Sequence, residues 1–186
     1  MKAAAWLHRY AEHPDPATAA VNLVALVVAG NGPFYPLYSL ALIGWDRAGA
    51  WLSMLASPVF FLVPAISHRC PRAGRASLPL IGIANTVWCA VLFGSASGVG
   101  LFVLPCIVLA ALAYRPDEKF LAISVMGLAI GSLIMLTEFP VSGLMAVSPD
   151  SAAALTRLNA ISVATLSGFV SLRLINVLRQ GHCPSP

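Results

Sequence analysis

The sequence predicts an all-α fold: a polytopic membrane protein built as a bundle of about six transmembrane helices. Three observations carry the prediction. The 186 residues are 59% hydrophobic and only 10% charged, against roughly 25% charged in an ordinary soluble domain. Mean hydropathy is +0.83. The charged residues are gathered between long apolar runs, which is how membrane spans are punctuated.

The apolar segments are 18–45, 48–66, 77–94, 99–114, 119–138 and 154–178. A spanning helix needs about 20 residues, so 99–114 is the shortest candidate. The expected organisation is an N-terminal cytoplasmic segment, 1–17, a six-helix domain, 18–178, and a cytoplasmic tail, 179–186. Residues 3–11 read either as a short interfacial helix with Trp6, Leu7 and Tyr10 against lipid or as a frayed tail. The N-terminus lacks a convincing secretory leader, because Glu12 to Pro16 separate Lys2 and Arg9 from the apolar run.

The first apolar segment contains Ala29-Gly-Asn-Gly-Pro-Phe-Tyr-Pro-Leu-Tyr38. Gly30, Gly32, Pro33 and Pro36 should break a helix there. As helix, 18–28 would rise roughly 16 Å and 33–45 roughly 20 Å. Neither half reaches the roughly 30 Å of hydrocarbon. One broken crossing also gives the better charge distribution. With the N-terminus inside, nine basic residues (Lys2, Arg9, Arg69, Arg72, Arg75, Arg115, Lys119, Arg173, Arg179) fall on the cytoplasmic side and two (Arg47, Arg157) outside. A loop at 29–38 would leave seven inside and four outside. The expected location is a bacterial cytoplasmic membrane with both termini cytoplasmic. The prolines deprive carbonyls near Ala29 and Gly32 of donors. The break is then either a packing kink or a place where Asn31, water or a ligand supplies the missing donor.

Asn22, Asn85 and Asn159 each fall in a different apolar segment. They read as interhelical hydrogen-bonding groups or as the lining of a polar pocket. Gly127 and Gly131 form a G-x-x-x-G pair suited to close packing, within one bundle or in a homodimer. At the expected outer ends, Glu138 and Arg157 terminate sequential antiparallel segments and are placed to pair as a static rim. Alternatively, with Asn31 and Tyr35, they would form an outward cup that meets a ligand head group. His68, Cys70, His182 and Cys183 lie on one side in this topology, but H-x-C and H-C are not zinc-ligand spacings, so no metal is expected. Nor is a cofactor.

The sequence carries no phosphate-binding loop, nucleophile elbow, zinc-protease helix or dinucleotide fingerprint. No carboxylate, Lys or His lies mid-span, which argues against a proton-coupled pump. No basic, aromatic-interleaved face addresses nucleic acid. An enzyme acting on lipids would want a His or carboxylate cluster that is not apparent. The reading is therefore non-enzymatic.

The stretches Asn31-Gly-Pro-Phe-Tyr-Pro-Leu-Tyr38, Phe93-Gly-Ser-Ala-Ser-Gly-Val-Gly-Leu-Phe102 with Pro105, and Tyr114-Arg-Pro-Asp-Glu-Lys119 give a plan that resembles the six-helix membrane regions of bacterial class III adenylyl cyclases. It is also similar to the membrane sensors of some quorum-sensing histidine kinases. The resemblance implies a sensor or anchor module with a cytoplasmic signalling partner, here as a free-standing relative or a truncated sensor region. A small lipophilic or amphipathic ligand from the outer side is the expected signal. The alternative is a small transporter or permease subunit with its substrate site at the broken first helix.

Overall fold

In the computed structural model, which describes residues 2–145 and 147–180, those residues form helices joined by short turns, with no strand. The N-terminal helix α1 spans Lys2–Ala11. It is followed by α2, Pro16–Asn31, and α3, Phe34–Ile43. Asp15 caps α2, accepting from the Thr18 N–H at 3.3 Å, and Pro16 occupies the first turn, where a missing N–H costs nothing. The chain bends by 42° between α2 and α3. The Gly32 N–H still reaches the Val28 carbonyl at 3.0 Å, but Pro33 and Pro36 cannot continue the ladder. Gly32 permits a close approach at the bend. A Cβ there would meet Ser57 Oγ at 1.7 Å, so the break is pressed directly against the next element.

That element is segmented by its own prolines. A 3₁₀ stretch, Ala48–Ala56, leads into α4, Ser57–Phe61, and α5, Val63–Arg69, with Pro58 and Pro64 in the respective first turns. Helix α6, Pro71–Phe93, runs through Pro79 without interruption and ends at Gly94 with φ +83°. Short 3₁₀ turns, Ser95–Ser97 and Val99–Phe102, precede α7, Val103–Leu112. Helix α8 is Lys119–Glu138 and α9 is Pro149–Gln180. The α8–α9 connection tucks against the end of α6, where the Leu144 and Met145 N–H groups donate to the Val91 and Leu92 carbonyls.

Four helical stretches are long and apolar enough to cross a membrane: Ala48–Arg69, Pro71–Phe93, Pro116–Glu138 and Pro149–Arg179. The bent α2–α3 pair makes a fifth candidate. The expected count of six is thus not reproduced at full length. The segment at 99–114 folds as the shorter apolar helix Val99–Leu112, because Gly98 at φ +71° and Arg115-Pro116 end it on either side.

The core comprises two main clusters. One joins α2, α4, α5, α6, α7 and α9 through Val21, Val24, Val63, Leu109 and Leu174; the other surrounds Leu40, Leu92, Phe93 and Leu155. Helix α8 lies outermost, with Phe120, Ile123, Ile134 and Met135 more than half exposed, as expected of a lipid-facing helix.

Candidate functional site

A cavity of about 720 Å³ occupies the bundle beside the helix break, within the roughly 300–1,000 Å³ of small-molecule sites. Both halves of the broken helix line it, through Val24, Asn31, Phe34 and Tyr35 among others. The far wall is α6 and α7, contributing Gly82, Asn85, Thr86, Pro105 and Cys106, and α9 closes one side with Leu158, Ser162 and Thr165. Helix α8 contributes nothing. Most of the lining is aliphatic or aromatic. The polar groups are amides, hydroxyls and the thiols of Cys89 and Cys106, and no Asp, Glu, Lys, Arg or His lines it among the described residues.

The four expected ligand contacts separate. Asn31 and Tyr35 line the cavity. Glu138 and Arg157 do not; both are exposed, and the ion pair expected between them is not formed. Tyr35 is fixed from several sides. Its hydroxyl donates to Asn159 Oδ1 at 3.1 Å, and its ring meets Phe93 and Phe102 edge-on at 5.9 and 6.2 Å.

Asn22, Asn85 and Asn159 also separate. Asn159 is fully buried, accepts from Tyr35 and donates through Nδ2 to the Ser97 carbonyl at 2.9 Å, tying α9 to α3 and the turn after α6. Asn22 is equally buried; it donates to the Ala11 carbonyl at 3.2 Å and accepts from Ser67 Oγ at 2.6 Å, tying α2 to α1 and α5. Asn85 differs. It lines the cavity, and its only polar contact among the described residues is the Cys89 thiol, 3.8 Å from its Oδ1. Asn31 makes no side-chain hydrogen bond among the described residues. Gly30 lines the cavity mouth with no atom within 4 Å of a Cβ position. Gly127 and Gly131 likewise have nothing within 4 Å of a Cβ position, so no close backbone approach occurs there among the described residues. His68 packs on the His13 ring, at 5.9 Å between centroids. No metal-ligating group of three His, Cys, Asp or Glu occurs among the described residues, which exclude His182 and Cys183.

A second polar constellation has no motif in the sequence. At the end of the bundle that carries most of the basic residues, Arg75 is 2% exposed and Glu118 5%. The Arg75 guanidinium donates to both Glu118 carboxylate oxygens, to Asp15 Oδ2 and, at 2.7 Å, to Thr18 Oγ1. Glu118 also accepts from Arg72 Nε at 3.0 Å and the Arg115 N–H at 3.1 Å. Arg72 reaches Asp117 at 3.1 Å, and Arg115 reaches Asp15 at 2.9 Å. Three cations thus face three anions. Burial pushes the Asp15 carboxyl up. Hydrogen bonds from Thr18 and Arg115 and the charges of Arg75 and Arg115 outweigh that and hold it below the usual carboxylate value. Beside the cluster, the Tyr114 hydroxyl is buried with no hydrogen-bond partner among the described residues. The available signal was the set of acidic residues, Asp15, Asp117 and Glu118, on the same expected side as the basic loops.

The chain matches no protein-family model, no curated protein and no solved structure. The functional reading therefore rests on this geometry.

Proposed function

We propose that this chain is a non-catalytic integral membrane receptor module that binds a small lipophilic ligand in the cavity beside the broken helix. The carrying observation is the cavity itself: ligand-sized, largely apolar, and walled by both halves of the interrupted helix. A bend there couples occupancy to helix angle, because ligand contacts on α2 and α3 favour one relative orientation. The proposed setting is a bacterial cytoplasmic membrane with six passes. Val99–Leu112 is the short fourth, and both termini face the cytoplasm, toward a signalling partner. The distribution of Lys and Arg supports this orientation.

The test is photolabelling in nanodiscs with an alkyl diazirine probe, mapped by peptide mass spectrometry. Labelling concentrated on residues 24–38 and 158–170 is expected, with competition by unlabelled lipophile. Uniform labelling that follows the lipid-exposed face of α8 would refute the reading. One observation favours transport instead: discontinuous helices line substrate sites in many carriers. Flux of a cavity ligand across proteoliposomes would establish that alternative; saturable binding without flux would support the receptor.

A further inference from the structure

The lining residues are unequally exposed, and the exposed ones locate the mouth of the cavity. Val27, Gly30, Asn31, Phe34 and Tyr38 on α2–α3 are exposed, as are Ile161 and Thr165 on α9; the other lining residues are buried or half-buried. The opening therefore lies between the broken helix and α9. Its depth follows from the spans. Val27 and Asn31 flank the middle of the 16–43 pair, with Phe34 a turn beyond, and Ile161 and Thr165 flank the middle of the Pro149–Arg179 helix. The mouth faces the hydrocarbon rather than either aqueous surface.

The polar groups inside are also unequal. The hydroxyls of Thr86, Ser162 and Thr165 donate to carbonyls of their own helices at 2.9 Å, and that of Tyr35 is spent on Asn159. Asn85 Nδ2 has no partner among the described residues, and its Oδ1 has only the distant thiol. An amide carries two donors and an acceptor and is costly to leave unpaired in an apolar setting. A charged group brought here would meet no counter-charge and would lose its hydration.

Building on the receptor reading above, we propose that the ligand is an uncharged, single-headed lipophile that enters sideways from the bilayer between the broken helix and α9, and that Asn85 reads its oxygen-bearing head. Asn31 at the mouth offers a first polar contact on the way in. Asn85 discriminates by hydrogen bonding, while the cavity as a whole discriminates by refusing charge.

The experiment compares four probes of equal chain length in nanodiscs at pH 8: a long-chain alcohol, its carboxylate, its primary amine and the parent alkane. Each competes for diazirine labelling of the cavity. The alcohol should bind at least tenfold more tightly than the two charged probes. Asn85→Leu should weaken the alcohol about tenfold, the scale of one neutral hydrogen bond lost in an apolar site, and leave the alkane unchanged. Thr165→Trp, at an exposed mouth position, should slow alcohol association by a similar factor and serves where Asn85→Leu does not fold. Charged probes binding as well as the alcohol, an unaltered alcohol affinity in Asn85→Leu, or an unaltered association rate in Thr165→Trp would overturn the inference. Charge-indifferent labelling of the cavity sinks this inference alone, whereas absence of cavity labelling by any probe sinks the receptor reading beneath it.

Discussion

Arg75 and Asn85 lie ten residues apart on α6, about 15 Å at helical rise, in opposite polar environments. Around Arg75, every cation reaches an anion and Glu118 accepts from three residues. Around Asn85, the only hydrogen-bonding contact among the described residues is a thiol at 3.8 Å. At the buried centre of the cluster, Arg75 and Glu118 are spent on their partners and hold geometry. An unsaturated amide in an apolar cavity holds little geometry and has hydrogen bonds to give. The same helix thus carries a clamp at one end and a receptive group farther along.

The largest expected effect comes from breaking the clamp. Arg75→Ala leaves Glu118 and Asp15 buried without their shared cation, and removal of one partner from a buried ionic cluster typically costs about 3–5 kcal/mol. Reversible unfolding in bicelles should show that loss, while Asn85→Leu should show little. A loss under about 1 kcal/mol would place the cluster among exposed pairs and erase the contrast between the two regions.

Next in size is the break. Replacing Pro33 and Pro36 together with Ala restores N–H donors for the Ala29 and Gly32 carbonyls and permits a straight helix. Cavity labelling should fall about tenfold, roughly 1.4 kcal/mol, with thermal stability retained. Undiminished labelling would mean that the cavity does not depend on the 42° bend.

A smaller effect is expected where the cavity wall is itself saturated. Tyr35→Phe removes the donor to Asn159 Oδ1 and should cost about 1 kcal/mol of stability. It should leave alcohol affinity close to wild type, since that hydroxyl is already spent. A large affinity loss with unchanged stability would move the head-reading role from Asn85 to Tyr35.

These pairs also show what was legible in the sequence. Gly30 to Pro36 announced the break, because proline's missing N–H acts locally and needs no knowledge of neighbours. Asn31 and Tyr35 were legible for the same reason: they sit within the interruption. Asn22, Asn85 and Asn159 looked alike in sequence, and only packing separates two structural amides from one facing a cavity. The ionic cluster was hidden because Arg75 and Glu118 are 43 residues apart and read naturally as topology markers. Glu138 and Arg157 were drawn together by adjacency of their helices. The α8–α9 connection instead folds back onto Gly94, and both side chains remain exposed.

The smallest effect concerns acid, and its sign follows from Asp15. Its carboxyl is held below the ordinary value by Thr18, Arg115 and Arg75 against the opposing effect of burial. The unfolded chain then takes up the proton at a higher pH than the folded protein, near the ordinary value of about 3.9. The stabilisation is therefore complete above that value and is lost as pH falls through the lower native one. Between pH 7 and 5 the unfolding midpoint should not move on account of Asp15, and below about pH 4 it should fall. Asp15→Asn should start lower at pH 7, having lost its charge-assisted bonds, and should respond less to acid. If the midpoint instead dropped between pH 7 and 5 and Asp15→Asn abolished that drop, burial would be outweighing the arginines. The clamp would then be unsaturated in the same sense as the cavity, and the distinction between the two ends of α6 would fail.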